Sequence, residues 1–279
     1  MKNFVFPFAA LFAAAALSSC CNNHGNTGIE GVMTVKLDNA EVIWIKDNAE
    51  PRLMERSLFP DASDSLLQSL GLENGIPASM STFLVRKDGK LLLFDTGLGA
   101  ENSRLAISLD SLGIDAGDID FIFLTHLHGD HTGGMLADGI PRFPKAEVYV
   151  SETEYNGWTA MPEKQKLSAI GPLEAYGDRL HLFSEEDSLP CGVKQIPAYG
   201  HTPGHTVYQT GNLLIVGDIM HGATLQSAHP EICADFDMDK PAAIESRVKI
   251  LDYARKNSLV MAGMHFPEPA FIFPSGETD

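Results

Sequence analysis

Short apolar runs recur along this chain, and several end on a histidine or an aspartate. Phe121-Ile122-Phe123-Leu124 leads into Thr125-His126-Leu127-His128-Gly129-Asp130-His131, Leu213–Gly217 into Asp218, and Leu259–Met264 into His265. Apolar runs this short, bounded by polar or glycine-containing stretches, predict buried strands. Val193 to Pro197 reads as another strand, and Gly200-His201-Thr202-Pro203-Gly204-His205 follows it as a turn built by two glycines and a proline. Polar clusters at strand ends lie where α/β folds commonly place their sites.

Residues 32–150 and 180–262 each read as strands with helices between them, which predicts a mixed α/β domain. Val85 to Leu91 is a hairpin with Asp88-Gly89 as its turn. Asp239 to Asn257 is the clearest helix, with Pro241 in its first turn, Arg255 and Lys256 near its negative end, and Ile244, Val248 and Leu251 as a stripe read as core packing. Asp47 to Met80 carries few strand signals beyond Phe59-Pro60 and a short amphipathic stretch, Ser65 to Leu70; it reads as a lid, a dimer arm or a surface excursion.

Four potential ligands, His126, His128, Asp130 and His131, fall within six positions. Imidazole and carboxylate together are the donor set that zinc and similar metals take. If the chain stays extended, His126, His128 and Asp130 share one face by the period of two, and His131 points elsewhere. One metal can then hold the alternating histidines and a neighbouring metal Asp130 and His131.

The His-x-His-x-Asp-His pattern at 126–131, with Leu93-Phe94-Asp95-Thr96-Gly97 before it and the motifs at His201, Asp218 and His265 after it, resembles the metallo-β-lactamase-fold hydrolases. The resemblance runs from about Thr34 to Phe273. It implies an αββα sandwich of two mixed β-sheets flanked by helices, holding two divalent metal ions, with zinc expected. By the same resemblance His126, His128 and His201 hold the first metal, Asp130, His131 and His265 the second, Asp218 bridges them, and Asp95 is structural or supports a ligand. Gly217-Asp218-Ile219-Met220-His221, Ala234 to Asp239 and Gly263 to Pro267 resemble the methyl parathion hydrolase-like branch, which includes esterases and lactonases. Zinc β-lactamases of the commonest class have cysteine where Asp218 stands, so antibiotic hydrolysis is not the expected role. Glu268 and Ala270-Phe271-Ile272 depart from that branch's pattern.

The implied chemistry is attack by a metal-bridging hydroxide on a small ester, lactone or phosphoester. Asp130 and His221 are the candidate catalytic residues; His221 either donates a proton or orients a substrate oxygen, or else it only fixes a ligand or loop. The alternative readings are a single-iron sulfur dioxygenase or a glyoxalase-II-like thioesterase of the same fold, and a catalytically silent, surface-tethered binding protein, which the presence of all seven expected ligands disfavours. No Gly-x-Ser-x-Gly elbow is present, which disfavours a serine hydrolase. His205 reads as a structural member of its turn, His181 as a strand residue and His24 as part of a tether, while His229 carries no signal.

Residues 1–19, with Lys2 and the apolar Phe4 to Leu17, read as a lipoprotein signal peptide ending in the lipobox Leu17-Ser18-Ser19-Cys20. Cys20 becomes the lipidated first residue, 20–30 a flexible tether, and 31–279 one catalytic domain. The expected place is the bacterial cell envelope, with the domain in the periplasm or at the cell surface, and a homodimer is allowed for. A net charge of −17 argues against a nucleic-acid partner and for a small neutral or weakly charged substrate. Cys191 and Cys233 form either a disulfide or two packed thiols.

Overall fold

The computed structural model describes residues 24–37 and 40–274. Residues 1–19, read as a signal peptide, and Cys20, the expected lipidation site, lie outside the described residues. Eight strands form the first sheet: β1 (His24–Asn26), β2 (Val32–Leu37), β3 (Ala40–Lys46), β6 (Ser81–Lys87), β7 (Lys90–Phe94), β8 (Phe121–Phe123), β11 (Glu147–Ser151) and β12 (Leu180–Phe183), in that spatial order. Pairing is antiparallel from β1 to β7 and parallel from β7 through β8 and β11 to β12. The second sheet has the order β13 (Lys194–Pro197), β14 (Thr206–Thr210), β15 (Leu213–Gly217), β16 (Val260–Gly263) and β17 (Phe271–Ile272), with only β15 and β16 parallel.

Alternation along the strands decides the layers. Val42, Trp44, Phe83, Val85, Leu92, Phe94 and Phe123 point from the first sheet into a core shared with Val207, Tyr208, Ile215 and Ala262 of the second. Their neighbours Ile43, Ile45, Leu84, Leu93 and Ile122 point the other way. There they meet α2 (Leu105–Ser111), α5 (Glu163–Glu174) and Trp158 of α4 (Glu152–Thr159). Helix α7 (Lys240–Lys256) adds Ile250 and Ala254 to the core of the second sheet. The result is the αββα sandwich that the resemblance implied.

The hairpin forms as read: Lys87 pairs with Lys90 across Asp88 and Gly89, both at positive φ (52° and 73°), which the two-residue turn requires. Several expectations need correction. Leu180–Phe183, grouped in the sequence with the strands that follow it, pairs with β11 and closes the first sheet. His24, read as tether, lies in an edge strand opposite Val35. The helix at 240–256 buries Ala243, Arg247, Ile250 and Ala254, whereas Val248 is 46% exposed. Of the expected stripe, Leu251 packs against the core while Val248 turns outward, and Arg247 takes a buried place because its guanidinium finds acceptors: Ile219 O, Pro230 O, Ile232 O and the Asp237 carboxylate.

Between residues 47 and 80 lie two three-residue strands, β4 (Arg52–Met54) and β5 (Ile76–Ala78), and the helix α1 (Asp64–Ser69). Met54, Phe59, Leu67, Leu72 and Ile76 pack with Leu225, Ile232 and Ala234 as a separate small core. The segment is therefore packed down on the stretch that follows β15. Cys191 and Cys233 are both free thiols. Among the described residues no helix is long and apolar enough to cross a membrane.

Candidate metal centre

Each candidate ligand follows the C-terminal end of a strand. His126 and His128 follow β8, His201 follows β13, Asp218 follows β15 and His265 follows β16. Extended backbone ends at His128 (φ −68°, ψ 153°), which caps a short helix, α3 (Gly129–Thr132). That corrects the reading of an extended face through Asp130. The helical turn instead sends Asp130 and His131 together to the far side of the cluster.

Two groups of donors result. His126, His128, His201 and Asp218 form one, and Asp130, His131 and His265 the other, with the donor atoms of each group within 4.8 Å of one another. His128 Nδ1 lies 3.0 Å from both His126 Nε2 and His201 Nε2. Asp218 stands between the groups: Oδ2 is 3.7 Å from His126 Nε2, 3.5 Å from His201 Nε2 and 3.1 Å from His265 Nε2, while Oδ1 is 3.3 Å from His131 Nε2. All seven residues come together, so the ligand set expected from the sequence is spatially coherent.

The outward nitrogens of these rings have partners, which fixes the inward ones as donors to the centre. His131 Nδ1 meets Asp95 Oδ2 at 2.7 Å, His201 Nδ1 meets Asp237 Oδ1 at 3.1 Å, His126 Nδ1 meets Thr125 Oγ1 at 3.0 Å and His265 Nδ1 meets the Ser79 carbonyl at 3.0 Å. Asp95 sits at φ 58°, a left-handed conformation that aspartate tolerates better than most residues, and also accepts from Thr125 N and Oγ1. Of these outer partners the sequence had marked only Asp95. Asp237 lay inside a quoted motif without a role, and Arg247, which holds it, had none assigned.

The donor set fits divalent cations. The buried atoms His131 Nε2 and Asp218 Oδ1 have no hydrogen-bond partner although they face each other. His126 Nε2 and His201 Nε2 both lie 3.0 Å from His128 Nδ1, so three imidazole nitrogens converge in a set that can ligate one cation. Burial and the neighbouring rings push His126 far below its ordinary pKa, and burial with His201 takes His128 to about 3, so both are neutral, the form that ligates. Burial opposes a charge on His265, but Asp218 and Asp130 outweigh it and raise the pKa to about 10. The carboxylates thus demand positive charge here, which a metal ion supplies.

His221 lies beside the centre, with Nε2 3.2 Å from Asp218 Oδ2 and its ring stacked on His265 at 5.2 Å. Burial lowers its pKa to about 4, against the pull of Asp218, and Nδ1 has no partner. Its backbone N–H, and that of Gly222, donate to the buried Gln226 Oε1. His205 is structural, as expected: it is fully buried and binds the Asp218 backbone. His181 is a strand residue stacked on Tyr149, and His229 lies near Glu231 away from the cluster.

Comparison with known proteins agrees with this geometry. The solved structure of the hydrolase AbOPH of the β-lactamase superfamily has 28% identity and a TM-score of 0.79, covering 89% of this chain and 95% of its own. The dizinc quorum-quenching lactonase AidC has 27% identity and a TM-score of 0.77 at the same coverage of both chains. A probable metallo-hydrolase of Mycobacterium bovis is 28% identical over 166 residues, 47% of this chain and 52% of its own length. The chain thus spans about half the length of the curated relatives it matches first. The profile of the Metallo-beta-lactamase superfamily matches residues 77–261, which include every candidate ligand except His265, four residues further on. A match of that extent, seated on these strands and histidines, shows that the chain belongs to the Metallo-beta-lactamase superfamily.

Proposed function

We propose that the protein is a two-metal hydrolase of small, uncharged esters and lactones. The observation that carries this reading is the placement of Asp218, whose carboxylate faces His126 and His201 on one side and His131 and His265 on the other. His126, His128, His201 and Asp218 would hold one ion, and Asp130, His131, His265 and Asp218 the other. Bound there, the ions supply Lewis acidity and lower the pKa of water at the centre toward neutrality, zinc being the favoured metal. Asp130 orients the second group through His265, 3.3 Å away. His221 presents its ring next to the shared carboxylate, where it can orient a substrate oxygen.

The surroundings support an apolar substituent on the substrate. Phe236 is 39% exposed and lies 5.1 Å from the His221 ring. Met238 is 46% exposed and donates its backbone N–H to His201 O. The net charge of −17 disfavours polyanionic substrates. Leu17-Ser18-Ser19-Cys20 supports a lipid anchor and an envelope location for the domain.

The test is a hydrolysis screen of the metal-loaded protein over lactones, aryl esters, thioesters and phosphotriesters, paired with elemental analysis. Two zinc-like ions with lactone or ester turnover is the expected result. One iron per chain without hydrolysis would replace the reading with an oxygenase, and turnover confined to thioesters would make it a glyoxalase-II-like enzyme.

A further inference from the structure

Glu154 is a fully buried carboxylate in the first turn of α4, outside the ligand set, and four donors converge on it. Oε1 accepts from Leu127 N at 3.0 Å and from Trp158 Nε1 at 2.6 Å. Oε2 accepts from Thr202 Oγ1 at 2.8 Å and from Gly204 N at 2.6 Å. Leu127 separates His126 from His128, Thr202 follows His201, and the Trp158 ring stands 5.5 Å from the His128 ring at 82°. Every histidine of the first group is therefore within two residues, or one ring contact, of this carboxylate. The backbone seats the same parts together: a Cβ on Gly204 would lie 2.1 Å from Glu154 N, and one on Gly157 would lie 2.5 Å from Pro203 Cβ. The second group has a different buried carboxylate, Asp95, bound to Thr125 and His131.

We infer that Glu154 is a positioning residue that sets the metal affinity of the three-histidine half of the centre and leaves the Asp130–His131–His265 half unaffected. The inference rests on the two-ion reading above. A carboxylate only accepts, so it satisfies all four donors at once. In Glu154→Gln the amide NH₂ must face either Leu127 N–H and Trp158 N–H, or Gly204 N–H and the Thr202 hydroxyl. The hydroxyl can turn to accept, but in both orientations at least one backbone N–H opposes an N–H. The loops carrying His126, His128 and His201 then lose their common anchor. Changes in such outer contacts commonly weaken metal binding by about 10–100-fold.

The test uses the full chain, stripped of metal and titrated with Zn²⁺ against a chelator. Glu154→Gln is made in two backgrounds, His265→Ala, which disables the second half, and His128→Ala, which disables the first. The expected result is a zinc affinity lowered by about 10–100-fold by Glu154→Gln in the His265→Ala background and unchanged within about twofold in the His128→Ala background. Equal weakening in both backgrounds, or none in either, overturns the inference. Should Glu154→Gln not fold, Trp158→Phe keeps the carboxylate and removes one donor. It is expected to shift affinity in the same background and direction by less, and a shift in the other background alone counts against the inference. Fewer than two zinc ions on the unmodified protein overturns the two-ion reading instead, without bearing on which half responds to Glu154.

Discussion

His205 Nε2 accepts the backbone N–H of Asp218 at 2.9 Å, which joins the turn carrying His201 directly to the strand end carrying the shared carboxylate. Gly217, at φ 54°, makes the approach possible, because a Cβ there would lie 2.5 Å from the same nitrogen. His205→Ala leaves the buried Asp218 N–H without an acceptor and should lower unfolding free energy by about 1–3 kcal/mol. Gly217→Ala should destabilise as well, through both the positive φ and the contact. Denaturant unfolding of the metal-free chain measures both, and unchanged midpoints would show that the contact carries no stability.

Asp218→Ala removes the carboxylate that stands between the two donor groups. Elemental analysis after gel filtration should find both ions lost or weakly held. His128→Ala, which touches only the first group, should leave one ion. If Asp218→Ala keeps one firmly bound ion, the carboxylate is not shared.

His221→Ala should keep both ions and the fold while lowering kcat by about 10²-fold. Burial holds the ring's pKa at about 4, so at neutral pH it is uncharged and suited to orienting an oxygen rather than delivering a proton. The loss should therefore be similar for esters with good and poor leaving groups. A loss confined to poor leaving groups would mean proton delivery, and loss of metal along with activity would mean that His221 only supports a ligand.

Tyr176 donates its hydroxyl to Met135 O at 2.9 Å, and burial pushes its pKa up to about 12. An unfolded tyrosine ionises near pH 10, so between about pH 10 and 12 the folded chain keeps a proton that the unfolded chain releases. Stability falls with rising pH across that window. The difference in unfolding free energy between wild type and Tyr176→Phe should be flat below about pH 9. Above it, the balance should shift toward the variant by on the order of 1 kcal/mol. A flat difference to pH 12 would rule this out.

The proposed lipid anchor at Cys20 gives a prediction independent of the fold. Cys20→Ala should abolish lipid labelling in a bacterial host and release the protein from the membrane fraction. Normal labelling and membrane fractionation of the variant would reject the anchor.

Strand periodicity, the hairpin at Asp88-Gly89 and the ligand residues themselves were legible in the chain, because each depends on neighbours a few positions away. The pattern at 126–131 named four donors, and three later strand ends supplied His201, Asp218 and His265 in order. By itself the sequence thus determined the fold class and the chemistry of the donor set. Only the tertiary structure decided how the donors reach the two groups the resemblance implied, since a helical turn at Gly129, not an extended face, carries Asp130 and His131 to the second. It also decided the supporting contacts: Glu154 reaches Leu127 and Gly204 across 27 and 50 positions, and Asp237 reaches His201 across 36. Arg247 shows why such residues escape a linear reading. A buried guanidinium is stable only where carbonyls and a carboxylate from distant segments surround it, and those segments meet only in the folded chain.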